Sequence, residues 1–148
     1  MKRWIACGLL LWASAPSLGA DAQVELRSVN GEFEDIRERV VFAIEGQGLV
    51  LNYTAHISDM LDRTGKDVGS ARRIYRQAQV LEFCSAGASR RAMEASPHNI
   101  AYCPYAIAVY TLPEEPGKVY VSYRKPPASA ALQPVSELLA TIVREALQ

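Results

Sequence analysis

The chain has 148 residues, of which 49% are apolar, enough for one domain that buries about two-thirds of the surface its unfolded chain exposes. Its 16 basic and 16 acidic side chains leave no surplus of cations to face phosphates, which removes the electrostatic case for nucleic acid as a partner.

The first residues have the three parts of a secretory signal: Lys2 and Arg3, an apolar run over 4–12, then small residues and Pro16 leading to Ala20-Asp21-Ala22. The expectation is a cleaved signal over 1–22, cut after Ala20 or Ala22, and a periplasmic or secreted product. The apolar run stops at Ala13-Ser14-Ala15-Pro16, short of the roughly twenty residues that a membrane span requires, so no transmembrane segment is expected after cleavage. Cys7 falls within the signal. For a cut after Ala20, loss of Lys2 and Arg3 leaves 14 basic residues against 16 acidic ones.

From residue 23 onward, 23–29 alternates imperfectly and predicts a half-buried edge strand. Asn30 is the predicted cap of a helix whose stripe is Phe33, Ile36, Val40, Val41 and Ile44, with Glu34 and Asp35 in the first turn where the macrodipole favours negative charge. Gly46-Gln47-Gly48 ends it as a C-cap. Residues 49–57 predict a strand with Leu49, Leu51, Tyr53, Ala55 and Ile57 on one face and His56 on the other, pointing away from the more apolar side. A short helix over 59–63, a loop over 64–69 and a second short helix over 70–77 follow. Residues 79–84 predict a strand, and 86–95 a helix whose Ala88, Ala92 and Ala95 permit close packing on a sheet. Ser96-Pro97-His98-Asn99 breaks that helix. Residues 100–112 and 118–124 predict a hairpin, with Ile107 and Val109 facing one way and Tyr110, Tyr120 and Ser122 the other. Pro104 has no N–H for a ladder and marks a strand start, edge or bulge. After the linker at 126–128, Val135, Leu138, Leu139, Ile142, Val143 and Leu147 form the stripe of an amphipathic C-terminal helix. This order predicts an α+β fold, with helices packed on one face of a mostly antiparallel or mixed sheet.

Three stretches carry a family resemblance: Glu82-Phe83-Cys84, then Arg91-Ala92-Met93-Glu94-Ala95-Ser96-Pro97, then Cys103-Pro104 running into Ile107-Ala108-Val109-Tyr110. Their order resembles the bacterial family called domain of unknown function 302. In that family a strand ends in Cys, a short helix follows, and a second Cys opens a Val-rich strand. Here Ser85-Ala86 stands where the family usually has Asn-Pro, and Cys103 precedes a proline instead of following it. The resemblance makes residues 23–148 a single domain of this type. It implies a compact two-layer α+β fold that often self-associates, and it supplies no established activity.

The candidate site residues are Cys84, Cys103, His56 and His98. In an oxidising compartment two cysteines make a disulfide the default, worth roughly 3 kcal/mol in the chain-entropy model. Parallel strands on either side of helix 86–95 would hold the sulfurs too far apart, whereas antiparallel strands would put both at one end of the sheet. Because Cys84 immediately precedes a helix, N-terminal amides near its sulfur would lower the thiol pKa and favour redox chemistry. A metal set of Cys84, Cys103 and His56, with Met60 as a further soft ligand, would suit copper or zinc. The spacing matches no metal signature. Gly87-Ala88-Ser89 lacks the closing glycine of a nucleophile elbow, so Ser89 reads as a helix residue. The tyrosines near the hairpin suit sheet packing, a pocket or a dimer surface equally. The expected function is therefore a non-catalytic binding domain, with a periplasmic thiol-redox protein or a homodimeric assembly domain as the alternatives.

Overall fold

The computed structural model describes residues 23–70 and 72–148, and the expected signal over 1–22 lies outside them. Five strands, β1 (Val24–Asn30), β2 (Leu51–His56), β3 (Gln77–Phe83), β4 (Tyr105–Thr111) and β5 (Lys118–Arg124), form one sheet in the order β1-β5-β4-β3-β2. Each neighbouring pair is antiparallel. Four α-helices, α1 (Phe33–Gly46), α2 (Ile57–Thr64), α3 (Ala86–Ala95) and α4 (Gln133–Ala146), complete the α+β fold, and a turn of 3-10 helix spans Pro97–Tyr102.

Side-chain alternation decides what the sheet buries. On one face Leu81, Phe83, Ile107, Val109, Val119 and Val121 are fully buried. The stripes of α1 (Ile36, Val40, Ile44) and α4 (Val135, Leu139, Ile142), together with Ala88 and Ala92 of α3, join them in one apolar cluster. Alanine at both α3 positions lets that short helix lie close to the strands. The other face carries the rows Leu26, Ser122, Ala108, Val80, Ala55 and Ser28, Tyr120, Tyr110, Ala78. Two layers therefore share one core. No helix among the described residues is long and apolar enough to cross a membrane.

Several local expectations are corrected by long-range pairing. Between Leu51 and Tyr53 the β2–β3 register shifts by a bulge, so that Leu51 opposes Phe83 but Thr54 opposes Leu81. The extra residue reverses the alternation beyond it. Tyr53 and Ala55 consequently face away from the core, and His56, opposite Gln79, shares the helix-bearing face at its exposed margin. Asn30 is the last residue of β1, not a helix cap; Glu32 precedes α1 without a side-chain cap bond. The helix predicted over 70–77 does not form: residues 72–75 are coil, and Gln77 already pairs with Thr111. A β4 partner for the Arg76 and Gln77 backbone outweighs a helix too short to hold itself together. The strand predicted from residue 100 starts only at Tyr105, immediately after Pro104.

Phe83 is 0% exposed at the centre of this core. Phe83→Ala should cost about 3–5 kcal/mol of unfolding free energy by urea titration. A loss below ~1 kcal/mol would contradict this packing.

Candidate functional site at the sheet end

Phe83 ends β3 and Tyr105 opens β4, and the two are paired across the ladder. Cys84 follows the first and Cys103 precedes the second by one proline, so antiparallel pairing brings both to one end of the sheet. Their sulfurs are 2.9 Å apart, and both cysteines are free thiols, each half-buried. The intervening chain is short and firmly tied. The Ser85 hydroxyl accepts from the Ala88 N–H and caps α3, and the Asn99 amide donates to the Ala92 carbonyl, fastening the 3-10 turn to the end of α3. One turn into α3, Ser89 Oγ lies 2.9 Å from the Tyr105 hydroxyl and 3.9 Å from the Cys103 sulfur.

A cavity of about 740 Å³ opens at the same sheet end. Tyr102, Pro104 and Tyr105, which flank Cys103, form one wall, and Arg124, Lys125 and Pro126 another. The volume is in the range of small-molecule sites.

A family model described as domain of unknown function DUF302 matches residues 24–148. The chain belongs to the DUF302 family. The crystal structure of the conserved protein DUF302 from Bacillus stearothermophilus is similar, with a TM-score of 0.67 at 15% identity, covering 83% of this chain and 97% of that one. At that identity the likeness speaks for the fold. No curated protein matches the sequence.

Within this DUF302 domain the other predicted site residues lie apart from the sulfurs. His56 is opposite Gln79, five positions along β3 from Cys84 and so about 16 Å away along the strand. It is exposed, with Nδ1 4.0 Å from Asp59 Oδ2. His98 is exposed in the 3-10 turn, and Met60 is exposed on α2. Among the described residues no three His, Cys, Asp or Glu side chains converge as a metal-binding group. The sulfur pair supplies two ligands of the four that a tetrahedral zinc site takes, so the set of Cys84, Cys103 and His56 is not assembled in this fold.

The expected activation of Cys84 is also reversed. Its thiol is pushed up from 9.0 to about 11, first by burial and then by the adjoining Cys103, while a hydrogen bond from the Tyr105 backbone offsets part of this. Ser85, not Cys84, occupies the capping position, so the helix amides are engaged by a hydroxyl. Burial also raises the Tyr105 phenol. Sequence reasoning passed over Ser89 and Tyr105 as partners of the pair. Their signal was positional: Ser89 stands one turn beyond the capping Ser85, and Tyr105 is in phase with the buried Ile107 and Val109.

In the reduced protein Cys84 should carry about a hundredfold less thiolate at pH 7 than an ordinary thiol, and iodoacetamide alkylation followed by peptide mapping should show it correspondingly slow. Because the folded-state pKa is the higher one, the associated stability is intact below pH 9.0 and is lost as pH rises towards about 11. Urea titrations across that interval should show a larger loss in the reduced form than in a bridged one, where the raised Tyr105, Tyr110 and Tyr123 phenols still contribute a loss. Alkylation of Cys84 as fast as that of a free thiol would contradict both outcomes.

Proposed function

We propose that this DUF302 domain is an exported, non-catalytic binding domain whose site is the sheet end where Cys84 and Cys103 meet. The observation that carries the reading is the 2.9 Å approach of the two sulfurs beside a cavity walled by the residues flanking Cys103. A thiol raised to about 11 is a poor nucleophile at neutral pH, and the Tyr105 backbone hydrogen bond offsets the burial of its thiolate only in part. In an oxidising compartment such a pair closes and stays closed, fixing the α3 segment and the mouth of the cavity. Cys84 is therefore poorly suited to be the attacking thiol of a redox pair.

Intact mass of protein purified from periplasm, with thiols blocked during lysis, is expected to be lighter than the reduced chain by two hydrogens and to stay so under mild reductant. Two blocked cysteines without any reductant would overturn the bridge. Rapid reduction and reoxidation would favour the redox alternative. Copper or zinc copurifying in stoichiometric amount would replace the bridge with a metal held by the sulfurs.

A second reading, homodimerisation, draws on the uncovered sheet face. There Leu26 and Tyr53 are 51% and 61% exposed, and Tyr110 and Tyr120 stack at 5.2 Å with Tyr75 edge-on to Tyr110. Five strands of about seven residues make a face about 24 Å by about 23 Å, about 550 Å² in plan against the roughly 800 Å² that each partner buries in a standard interface. Sedimentation equilibrium should then show a dimer that Leu26→Glu converts to monomer. A wild-type monomer at high concentration would remove this reading.

A further inference from the structure

The two edges of the sheet differ. β2 is interrupted by its bulge between Leu51 and Tyr53 and runs directly into α2. β1 has no such guard: it is seven residues long without a proline, and its register with β5 is unbroken from Val24 opposite Arg124 to Asn30 opposite Lys118. Proteins usually blunt an edge of this kind, because its unpaired N–H and C=O groups are a template for another strand. The Lys125 N–H donates to the Gln23 carbonyl and the Gly31 N–H to the Gly117 carbonyl, which fixes the phase of the ladder. Odd-numbered residues of β1 bond to β5, so Val24, Leu26 and Ser28 turn their backbone groups outward. Among the described residues no strand lies beyond β1, and Leu26 is 51% exposed. In the exported form proposed above, on which this inference rests, cleavage after Ala20 or Ala22 leaves at most Asp21 and Ala22 ahead of Gln23, too little chain to fold back along the edge.

We infer that the β1 edge is a joint for a second copy of this chain, the two β1 strands pairing antiparallel so that both sheets run on as one. Charge selects the register. With the two-fold axis at Leu26, Val24 is hydrogen-bonded to the partner's Ser28, and Glu25 stands opposite the partner's Arg27 at the closer spacing of about 4.5 Å between Cα atoms. An axis one residue away, at Glu25 or at Arg27, would set like charges against each other. The hydrogen bond from Lys125, followed by the neighbouring positive charges, keeps the Glu25 carboxyl below its usual range, so it is ionised at neutral pH. Within one chain that carboxylate already holds Arg27 at 2.6 Å and Lys125 at 3.0 Å on the helix-bearing side of the edge. A groove of about 580 Å³ between this margin and α4, lined by Glu25, Arg27, Ala140 and Arg144, gives the side chains of an added strand space. The joint is distinct from the face-to-face dimer considered above, since edge pairing leaves Tyr110 and Tyr120 uncovered.

The test is a charge exchange in the periplasm-purified protein, read by sedimentation equilibrium and native mass. Wild type is expected to dimerise, and Glu25→Arg and Arg27→Glu should each weaken the dimer about tenfold or more, because two opposite-charge pairs become like-charge pairs. An equimolar mixture of the two variants should regain the dimer, with one chain of each kind, which also shows that both are folded. Ser28→Pro removes an outward N–H that β5 does not use, and should give a monomer with an unchanged circular dichroism spectrum. A wild-type monomer at high concentration overturns the inference. So does a mixture that fails to pair while both variants keep the wild-type spectrum. A dimer that persists in E25R, R27E and S28P but is lost in L26E overturns the edge joint and leaves the face-to-face reading standing. The mass of the secreted chain, read in the same spectra, shows separately whether cleavage at Ala20 or Ala22 has taken place.

Discussion

The antiparallel ladder between β3 and β4 is the constraint on which this DUF302 domain depends. It sets Phe83 beside Tyr105, and from that one pairing follow the packing of α3 over the sheet, the contact of Ser89 with Tyr105 and the meeting of two sulfurs nineteen positions apart. A parallel pairing would have sent the chain to the far edge and left no common end. The fold and the candidate site are thus consequences of the same backbone hydrogen bonds.

Burial at this end acts in two directions. It supplies the apolar wall against which a ligand or the protein's own helices can pack, and it disfavours the charged form of any thiol or phenol placed there. The raised Cys84 thiol and Tyr105 phenol are therefore expressions of the same desolvation that shapes the cavity. An environment of this kind favours a closed sulfur pair and a recognition surface over a reactive thiolate. Among the described residues that line the cavity, Arg124 and Lys125 carry positive charge, and both are exposed to water.

Much of the architecture was legible because some elements signal themselves locally. The α4 stripe of Val135, Leu139, Ile142 and Val143 is buried as its spacing predicts, and Tyr110 and Tyr120 do share the face opposite Ile107 and Val109. The limits of α3, Ala86–Ala95, also match, since Ser85 begins it and Ser96-Pro97 ends it. What failed was set by partners distant in sequence. Nothing in residues 49–57 announces the bulge that turns Tyr53 outward, and nothing in 70–77 reveals that Gln77 belongs to a ladder with Thr111. Nearness of Cys84 and Cys103 was readable once the strands were taken as antiparallel; the remoteness of His56 was not, because strand order decides it. The cavity is assembled from Val24, Tyr102, Arg124 and Leu139, four segments with no shared period, and so leaves no pattern in the chain.

The most direct test of the account is the proximity of the sulfurs before any bond forms. In the reduced, isotope-labelled protein, a nuclear Overhauser contact between the β-protons of Cys84 and those of Cys103 is expected, alongside one joining the rings of Phe83 and Tyr105, whose centroids are 6.1 Å apart. The aromatic contact without the cysteine contact would show that the ladder forms but does not gather the site. Absence of both would contradict the antiparallel pairing itself.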